Sequence, residues 1–301
     1  MTTEAGTPTV DVASSVVGRR SAVLQASLAT VLTLVIFGPI LFYMVLTWRD
    51  VDEYSHGFLV APLAVYFAWE RRAKLKKAAI DPTWWGLVPL ALGSLSLAIG
   101  RLGVELMSMR ASFVMTLIGL VLLLLGRASF RILAFPLLFL FLMVPLPQSL
   151  VNIIAFPLQL VAADTAVQAL YWLGIPALRE GNIIHLPETQ LFVADACSGL
   201  RSLMALGTLA VVFAYFFRKN PIERIILVIS AVPIAILVNA FRVSLTGVLT
   251  FHFGKAAAEG AIHQFEGFFT FGLAFALLLG EAWLMQRIRR RGTGRRSRAA
   301  A

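Results

Sequence analysis

The sequence predicts an all-α membrane protein, a polytopic bundle of about eight transmembrane helices. Of its 301 residues, 59% are apolar and 14% are charged, which lies outside the range of ordinary soluble domains. The apolar residues are gathered in runs long enough to cross a bilayer, which takes about 20 residues per helix. Lys and Arg lie between these runs rather than together on a soluble domain.

The candidate spans divide the chain into a membrane domain and two tails. They cover residues 23–46, 57–70, 84–100, 106–126, 130–147, 199–217, 224–251 and 265–286. The first run is too long for the core of a signal peptide and has no small-residue cleavage pattern after it, so it is predicted to be a retained span. Residues 1–22 then form a cytoplasmic tail, 23–286 the membrane domain, and 287–301 a basic, disordered cytoplasmic tail.

The distribution of basic residues predicts the orientation of the bundle. Most of the 26 Lys and Arg residues fall in the segments that face one side if the N-terminus is cytoplasmic. Because basic residues are retained on the cytoplasmic side, both termini are predicted to be cytoplasmic. The basic C-terminal tail is then expected to lie against anionic membrane lipids.

The largest outer segment, residues 148–198, leads to the single cysteine. Residues 150–173 carry apolar residues at helical spacing with a few polar ones, which predicts an outer helix that lies in the membrane interface rather than crossing it. Apolar runs on both sides of Pro187-Glu188-Thr189 predict a short hairpin before the sixth span, and this hairpin ends at Cys197.

Several classes of partner and cofactor are not expected. The net charge of +10 does not predict nucleic-acid binding, because the basic residues punctuate apolar runs. One cysteine can form neither an internal disulfide nor a multi-thiolate metal site. No motif predicts a cofactor, and a metal site built from His56, His252 and His263 has no ligand spacing to support it. The lone thiol is therefore either inert or functional.

Three polar residues are predicted to reach the outer side together. Cys197 lies directly before the sixth span, Arg242 near the end of the seventh, and His263 just before the eighth. At 1.5 Å per residue, Arg242 lies about 25 Å along its helix, close to the outer edge of an apolar core of about 30 Å. This set suits nucleophilic catalysis, with a cysteine thiolate, a histidine base and an arginine that stabilises the thiolate or the oxyanion.

The start of the sixth helix is predicted to assist the thiolate. Asp195 or Ser198 can cap this helix and leave the amides of Gly199 and Leu200 facing the thiolate or a developing oxyanion.

Other polar residues are predicted to support the set. Asn239 shares a helix face with Arg242. Arg201 lies one turn after the cysteine, near the level of lipid headgroups. Glu266 lies three residues after His263, where it can orient the imidazole or simply favour the helix N-terminus.

Each residue also has a plain structural interpretation. A lone buried cysteine often behaves as a small hydrophobe. An intramembrane arginine can form a purely structural pair with Asp or Glu, and a histidine can be an interfacial residue. The agreement of the three residues on one face favours the catalytic interpretation.

At these residues the sequence resembles the exosortase and archaeosortase family of multi-pass membrane enzymes. The matching segments are Ala-Cys-Ser-Gly-Leu-Arg-Ser-Leu at 196–203, Asn239-Ala240-Phe241-Arg242, His263-Gln264-Phe265-Glu266-Gly267 and Tyr54-Ser55-His56-Gly57. The resemblance covers about residues 54 to 285. It departs from many members at Ala194-Asp195-Ala196, which leaves the subfamily open. His56 enters as a supporting residue through the early motif.

The resemblance implies a thiol protease or transpeptidase of the bacterial inner membrane, with its active site toward the periplasm. Its substrates would be secreted proteins with a C-terminal sorting signal: a short motif such as Pro-Glu-Pro, a spanning helix and a basic cluster. Such families accompany exopolysaccharide production. The recognised motif, the acceptor nucleophile and the oligomeric state stay open.

Two other functional classes remain as alternatives. A transporter would use the arginine and histidine as a substrate or proton path, but its site would lie near the midplane at broken, repeated helices, and the sequence predicts neither. A structural subunit of a polysaccharide-export machine would not need Cys197.

Overall fold

The computed structural model describes residues 9–187, 189–193, 199–217, 220–254 and 261–299. Its helices are α1 (Thr9–Ile36), α2 (Gly38–Asp50), α3 (Gly57–Glu70), α4 (Arg72–Lys77), α5 (Leu87–Leu102), α6 (Leu106–Phe139), α7 (Gln148–Trp172), α8 (Leu200–Phe217), α9 (Pro221–Phe253) and α10 (Ala261–Ala299). Short 3-10 helices cover Asp52–Tyr54, Trp84–Gly86 and Leu140–Met143. Three strands, β1 (Leu178–Glu180), β2 (Ile183–Leu186) and β3 (Thr189–Phe192), lie between α7 and α8. The chain divides into two compact units, Met1–Pro147 and Gln148–Ala301.

The predicted all-α, polytopic fold class is confirmed. Within the described residues, six helices are long and apolar enough to cross a membrane, or up to seven if the bent pair of α1 and α2 counts as one span. The six are Trp84–Leu102, Leu106–Met143, Gln148–Trp172, Leu200–Phe217, Pro221–Phe253 and Phe265–Arg289. The predicted count of eight is not confirmed, and the orientation stays a prediction from the charges.

Three predicted spans of the first unit differ from the helices of the structure. The span predicted at 57–70 is helix α3, whose 14 residues are fewer than the roughly 20 that a crossing needs. The spans predicted at 106–126 and 130–147 are joined in the helical segment Leu106–Met143, which is interrupted at Gly126, with φ 83° and ψ −177°. The interruption at Gly126 falls on the last residue of the first of these two predicted spans.

Two predictions differ in the second unit. The outer interfacial helix predicted at 150–173 is α7, a helix of 25 residues that is apolar enough to cross a membrane, so its length and composition do not set it apart from the spans. The tail predicted to be disordered continues α10 as far as Ala299. Arg289, Arg290 and Arg291 favour continuation of the helix, whereas Gly292 and Gly294 do not, so helix propensity alone does not explain its length.

Proline and glycine shape the helices of the first unit. The helices α1 and α2 meet at an angle of 63°, where Pro39 in the first turn of α2 has no N–H to continue the preceding helix. Further along, Gly86, Gly93 and Gly100 recur every seven residues and face α6. A methyl group on Gly86 would lie 2.5 Å from the backbone nitrogen of Leu123. Only glycine permits this close approach of α5 and α6.

The Tyr54-Ser55-His56-Gly57 motif has a structural role in the first unit. The hydroxyl of Tyr54 donates a hydrogen bond to the Leu146 carbonyl at 2.9 Å. The ring nitrogens of His56 lie 3.0 Å from the carbonyls of Leu142 and Glu53. A methyl group on Gly57 would lie 2.4 Å from the Trp48 indole, so glycine makes room for that ring.

The carbonyls of Leu142 and Leu146, which this motif contacts, belong to a segment whose prolines remove backbone hydrogen-bond donors. Residues 142–147 contain Pro145 and Pro147, which have no N–H, so their neighbours' carbonyls need side-chain donors. Trp48 supplies another donor, from its indole N–H to the Met143 carbonyl at 2.9 Å. Burial lowers the pKa of His56 in spite of its two backbone contacts, and a neutral imidazole donates to one of them.

The three strands of the second unit form an antiparallel meander in the order β1-β2-β3. The predicted short hairpin is confirmed by the antiparallel pairing of β2 with β3, while β1 was not predicted. The meander packs on α7 and α9 in a buried cluster that includes Ile184, Leu191, Val193 and Val243. The strand that leads to the cysteine motif is therefore anchored on α9 next to Arg242.

Helices α8, α9 and α10 pack through small side chains. Their shared core holds Ala210 and Ala214 of α8, Ala231 and Ala235 of α9, and Ala274 of α10, together with buried leucines. Alanine lets helix backbones approach closely in an apolar solvent, where the hydrophobic effect does not bring helices together.

Two polar contacts define the register of α9 and α10. At one end the Thr246 hydroxyl is 2.9 Å from Glu266 Oε2, and at the other Arg289 Nη1 is 3.7 Å from Glu223 Oε1. The helices are therefore antiparallel. The same 23 residues separate the two contacts along each helix, which is about 35 Å at 1.5 Å per residue.

The role of Tyr54 can be tested by removing only its hydroxyl. We expect Tyr54→Phe to lower the thermal midpoint of the detergent-solubilised protein by about 2 °C, because the Leu146 carbonyl loses a donor worth about 1 kcal/mol. Tyr43→Phe is the control, because the Tyr43 side chain is 63% exposed. Equal midpoints for the two variants would contradict the structural role of the motif.

Candidate functional site

The predicted site residues differ in how far the structure describes them. Cys197 and Ser198 lie outside the described residues, and of His263 only the backbone position, at the start of α10, is described. Their neighbours in the same motifs are described. These neighbours are Gly199 after the cysteine, Asn239 and Arg242 on α9, and Glu266 and Gly267 on α10.

The cysteine motif meets the arginine motif at Gly199. This residue has a φ of 62°, in the left-handed region that favours glycine. A methyl group on it would lie 2.9 Å from Asn239 Nδ2 and 3.1 Å from Asn239 Cγ. Asn239 is only 5% exposed. The side chain of Asn239 therefore packs on the backbone two residues after Cys197.

The arginine motif meets the histidine motif at Gly267. A methyl group on Gly267 would lie 3.6 Å from Nη2 and 3.9 Å from Cζ of Arg242, so the guanidinium lies against the backbone of α10. Position 263 precedes Gly267 by four residues and so lies on the same helix face, one turn earlier. The structure thus brings Arg242 to the helix face on which the histidine position lies.

A buried hydrogen bond adds Thr246 to this group. Its hydroxyl is 2.9 Å from Glu266 Oε2 and 2.9 Å from the Arg242 carbonyl, and it has one hydrogen to donate. Thr246 is fully buried and Glu266 is 3% exposed. Arg242 attracts the Glu266 carboxylate electrostatically. The Glu266 carboxylate thus contacts Thr246 of α9. That Glu266 orients His263, or simply favours the helix N-terminus, stays a prediction.

Thr246 was not predicted as a site residue, although the sequence carries a signal for it. Asn239, Arg242, Thr246 and Thr250 recur at spacings of three and four, which places them on one face of α9. A polar stripe of this kind is unusual in an apolar helix, because each polar group needs a partner in the membrane.

The structure also describes two other predicted supporting residues, Arg201 and His56. Arg201 is exposed in the first turn of α8. His56 belongs to the first unit, where its described contacts are the carbonyls of Glu53 and Leu142. Among the described residues, no group of three His, Cys, Asp or Glu side chains could hold a metal ion.

The position of the group along α9 is consistent with a site near one membrane surface. Arg242 lies about 29 Å and Thr246 about 35 Å along the helix from the Glu223 end, and an apolar core is about 30 Å thick. The basic residues Arg287 and Arg289 lie at the opposite end of α10 from Glu266. Within the second unit, the candidate site and the basic end are therefore on opposite sides.

Comparison with known proteins gives the family. The family model described as transmembrane exosortase matches residues 48–280, which is most of the chain and includes all the motifs discussed above. Comparisons with curated proteins and with solved structures found no match. On the extent of this match, the chain belongs to the transmembrane exosortase family.

Proposed function

We propose that this exosortase is a cysteine protease or transpeptidase that cleaves the C-terminal sorting signals of secreted proteins through a thioester acyl-enzyme. Cys197, Arg242 and His263 are the proposed catalytic residues. The observation that carries the proposal is the meeting of three separate motifs on α9: Gly199 contacts Asn239, and Arg242 contacts Gly267. Acyl transfer by a thiol needs no cofactor or metal.

The chain on both sides of Cys197 is anchored near Arg242. Val193, four residues earlier, belongs to the same buried cluster as Val243, and Gly199, two residues later, contacts Asn239. Cys197 is two residues before Gly199 in the sequence, and two residues of extended chain span about 7 Å at most. This supports a nucleophile within reach of the arginine.

In the proposed first step, His263 takes the thiol proton and the Cys197 thiolate attacks the carbonyl carbon of the scissile peptide. A carbon–sulfur bond forms while the carbonyl electron pair moves to oxygen. Arg242 donates hydrogen bonds to this oxyanion or stabilises the thiolate by its charge. The amides at Gly199 and Leu200, with the helix end that Ser198 can cap, supply further positive potential.

In the second step the carbon–nitrogen bond breaks, and the protonated His263 gives its proton to the leaving amine. The secreted protein is then held as a thioester on Cys197, and the released fragment carries the spanning helix and the basic cluster. An acceptor nucleophile, water or an envelope amine or hydroxyl, attacks the thioester and restores the thiol. The family's link to exopolysaccharide production supports an acceptor in the cell envelope.

The charges support the placement of this reaction on the periplasmic side of a bacterial inner membrane. The basic end of α10 is predicted to be cytoplasmic, and the candidate site lies at the other end of the same helix. A substrate helix stopped by its own cytoplasmic basic cluster presents the preceding motif at the outer surface. Enzyme and substrate would therefore meet at the same depth.

Thr246 and Glu266 are proposed to position Arg242. A guanidinium in an apolar helix is stabilised by a nearby carboxylate, and Glu266 is the acidic residue that attracts it. The Thr246 hydroxyl holds that carboxylate from one turn further along α9. The hydrogen bond to a charged acceptor is stronger than one to a neutral carbonyl, so donation to Glu266 is favoured.

The nucleophile is tested by replacing Cys197. Both Cys197→Ala and Cys197→Ser should abolish processing of a co-expressed secreted protein with a motif, a helix and an Arg cluster, because neither residue supplies a thiolate. Processing is read as a shift in the size of the substrate, at equal enzyme levels in the membrane. If Cys197→Ala processes the substrate like the parent, the protease proposal fails. The alternative that the protein is a structural subunit is then favoured.

The positioning role of Thr246 is tested with a pair of matched variants. Thr246→Val keeps the shape but removes the hydroxyl, so it should slow processing about tenfold, as expected for one lost hydrogen bond to a charged group. Thr246→Ser keeps the hydroxyl and should process at nearly the parental rate. Thermal midpoints of both proteins separate misfolding from mispositioning. Equal rates for valine and serine would rule out the role of the hydroxyl.

The contact between the cysteine and arginine motifs is tested at Gly199. Gly199→Ala should lower processing and stability, because alanine in the left-handed region costs about 1–3 kcal/mol and its methyl group would crowd Asn239. Gly207→Ala, on the same helix α8, is the control because it faces open space. Parental processing by both variants would contradict the proposed contact.

A further inference from the structure

A basic surface with exposed tryptophans lies at one end of the first unit. It consists of Arg72, Lys74, Lys76, Lys77, Arg127 and Arg131, all of which have exposed side chains. The four residues from 72 to 77 belong to helix α4, and the two arginines lie on α6 just after the break at Gly126. This surface plays no part in the proposed protease chemistry.

Specific contacts join the two stretches of chain into one surface. The Arg71 guanidinium donates to the Ile132 carbonyl at 2.8 Å, which fixes the start of α4 on α6. The backbones of Asp81 and Gly126 form a bridge. The Arg127 guanidinium lies 5.8 Å from the centre of the Trp85 ring. Residues 71–85 therefore lie beside residues 126–132.

Exposed tryptophan side chains lie next to the basic side chains of this surface. Trp69, Trp84 and Trp85 are 57%, 81% and 63% exposed, which is far more than a tryptophan in a packed core. The Arg72 guanidinium carbon lies 3.8 Å from the centre of the Trp69 ring. A guanidinium stacked on a ring keeps the N–H groups at its edge available for an anion. Exposed tryptophan is typical of the membrane–water interface.

The charge on this surface selects among possible ligands. Basic clusters beside a membrane helix attract anionic headgroups, and Arg and Lys bind phosphate oxygens. The basic cluster of a sorting signal would be repelled. A soluble acidic protein could neutralise the basic side chains. Binding of such a protein would not explain why three tryptophans are exposed at the ends of apolar helices. The combined pattern fits a ligand with a phosphate group and an apolar tail.

We propose that this basic surface binds the phosphate headgroups of anionic phospholipids, with Trp69, Trp84 and Trp85 in the interface around them. The acyl chains then lie along the apolar sides of α5 and α6. The proposal does not depend on the protease activity, because it concerns residues of the first unit only.

The test uses tryptophan fluorescence of the full-length protein in a neutral detergent. Brominated phosphatidylglycerol should quench at lower concentration than brominated phosphatidylcholine. One Lys near an anionic membrane contributes roughly fivefold to binding, so Lys74→Gln/Lys76→Gln/Lys77→Gln should reduce the preference about tenfold or more. Arg49→Gln/Arg101→Gln/Arg179→Gln removes the same charge at exposed positions outside both this surface and the basic C-terminal tail, and should keep the preference. Thermal midpoints check that each variant is folded.

A second variant locates the lipid and completes the test. Trp84→Phe/Trp85→Phe should lose most of the quenching by brominated phosphatidylglycerol, because these rings are next to the proposed headgroup. The proposal is overturned if the parent does not distinguish the two lipids, or if both charge variants lose the preference equally. It is also overturned if Trp84→Phe/Trp85→Phe is quenched like the parent, or if inorganic phosphate or a soluble acidic peptide displaces the lipid at equal concentration.

Discussion

A half-buried arginine, Arg242, on an apolar helix is the constraint on which the second unit depends. A guanidinium is costly at membrane depth unless polar groups surround it. Helix α9 supplies some of these groups on one face, at Asn239 and Thr246, and α10 supplies Glu266. Once these contacts form, the two helices have only one register in which the polar groups meet. The Glu223–Arg289 contact at the far end fits the same register.

Small residues make these polar contacts possible. Gly199 lets the Asn239 amide lie against the chain after the cysteine, because a methyl group there would lie 2.9 Å from Asn239 Nδ2. The Arg242 guanidinium lies against the backbone of α10 at Gly267. The alanines shared by α8, α9 and α10 bring the helices close enough for both contacts. In the first unit, the glycines of α5 have the same effect on its packing with α6. Close packing replaces the hydrophobic driving force that lipid does not provide.

Unpaired backbone carbonyls impose a second constraint, in the first unit. The segment that ends at Pro147 cannot satisfy its own carbonyls, and donors from Trp48 and Tyr54 take the place of backbone N–H groups. A ring nitrogen of His56 lies 3.0 Å from the Leu142 carbonyl of the same segment. A motif that resembles a family signature thus has a packing explanation. The resemblance alone did not separate this structural role from a catalytic one.

The sequence by itself determined the fold class, the family and most of the helices, because hydropathy and charge act over a short range of sequence. It also placed Asn239 and Arg242 on one helix face, because that placement depends only on their spacing of three residues. The backbone geometry at the Gly126 break was not predicted, since it includes a bridge between the backbones of Gly126 and Asp81.

Only the tertiary structure decided which polar groups meet. Thr246 and Glu266 are 20 residues apart, and their hydrogen bond exists because α9 and α10 are antiparallel in one register. Sequence spacing placed Glu266 with His263, but the fold also brings it to α9. Similarly, Gly199 and Asn239 are 40 positions apart, and their contact depends on the packing of α8 on α9. Such contacts depend on how helices pack against each other. The periodicity of residues within one helix carries no information about that packing.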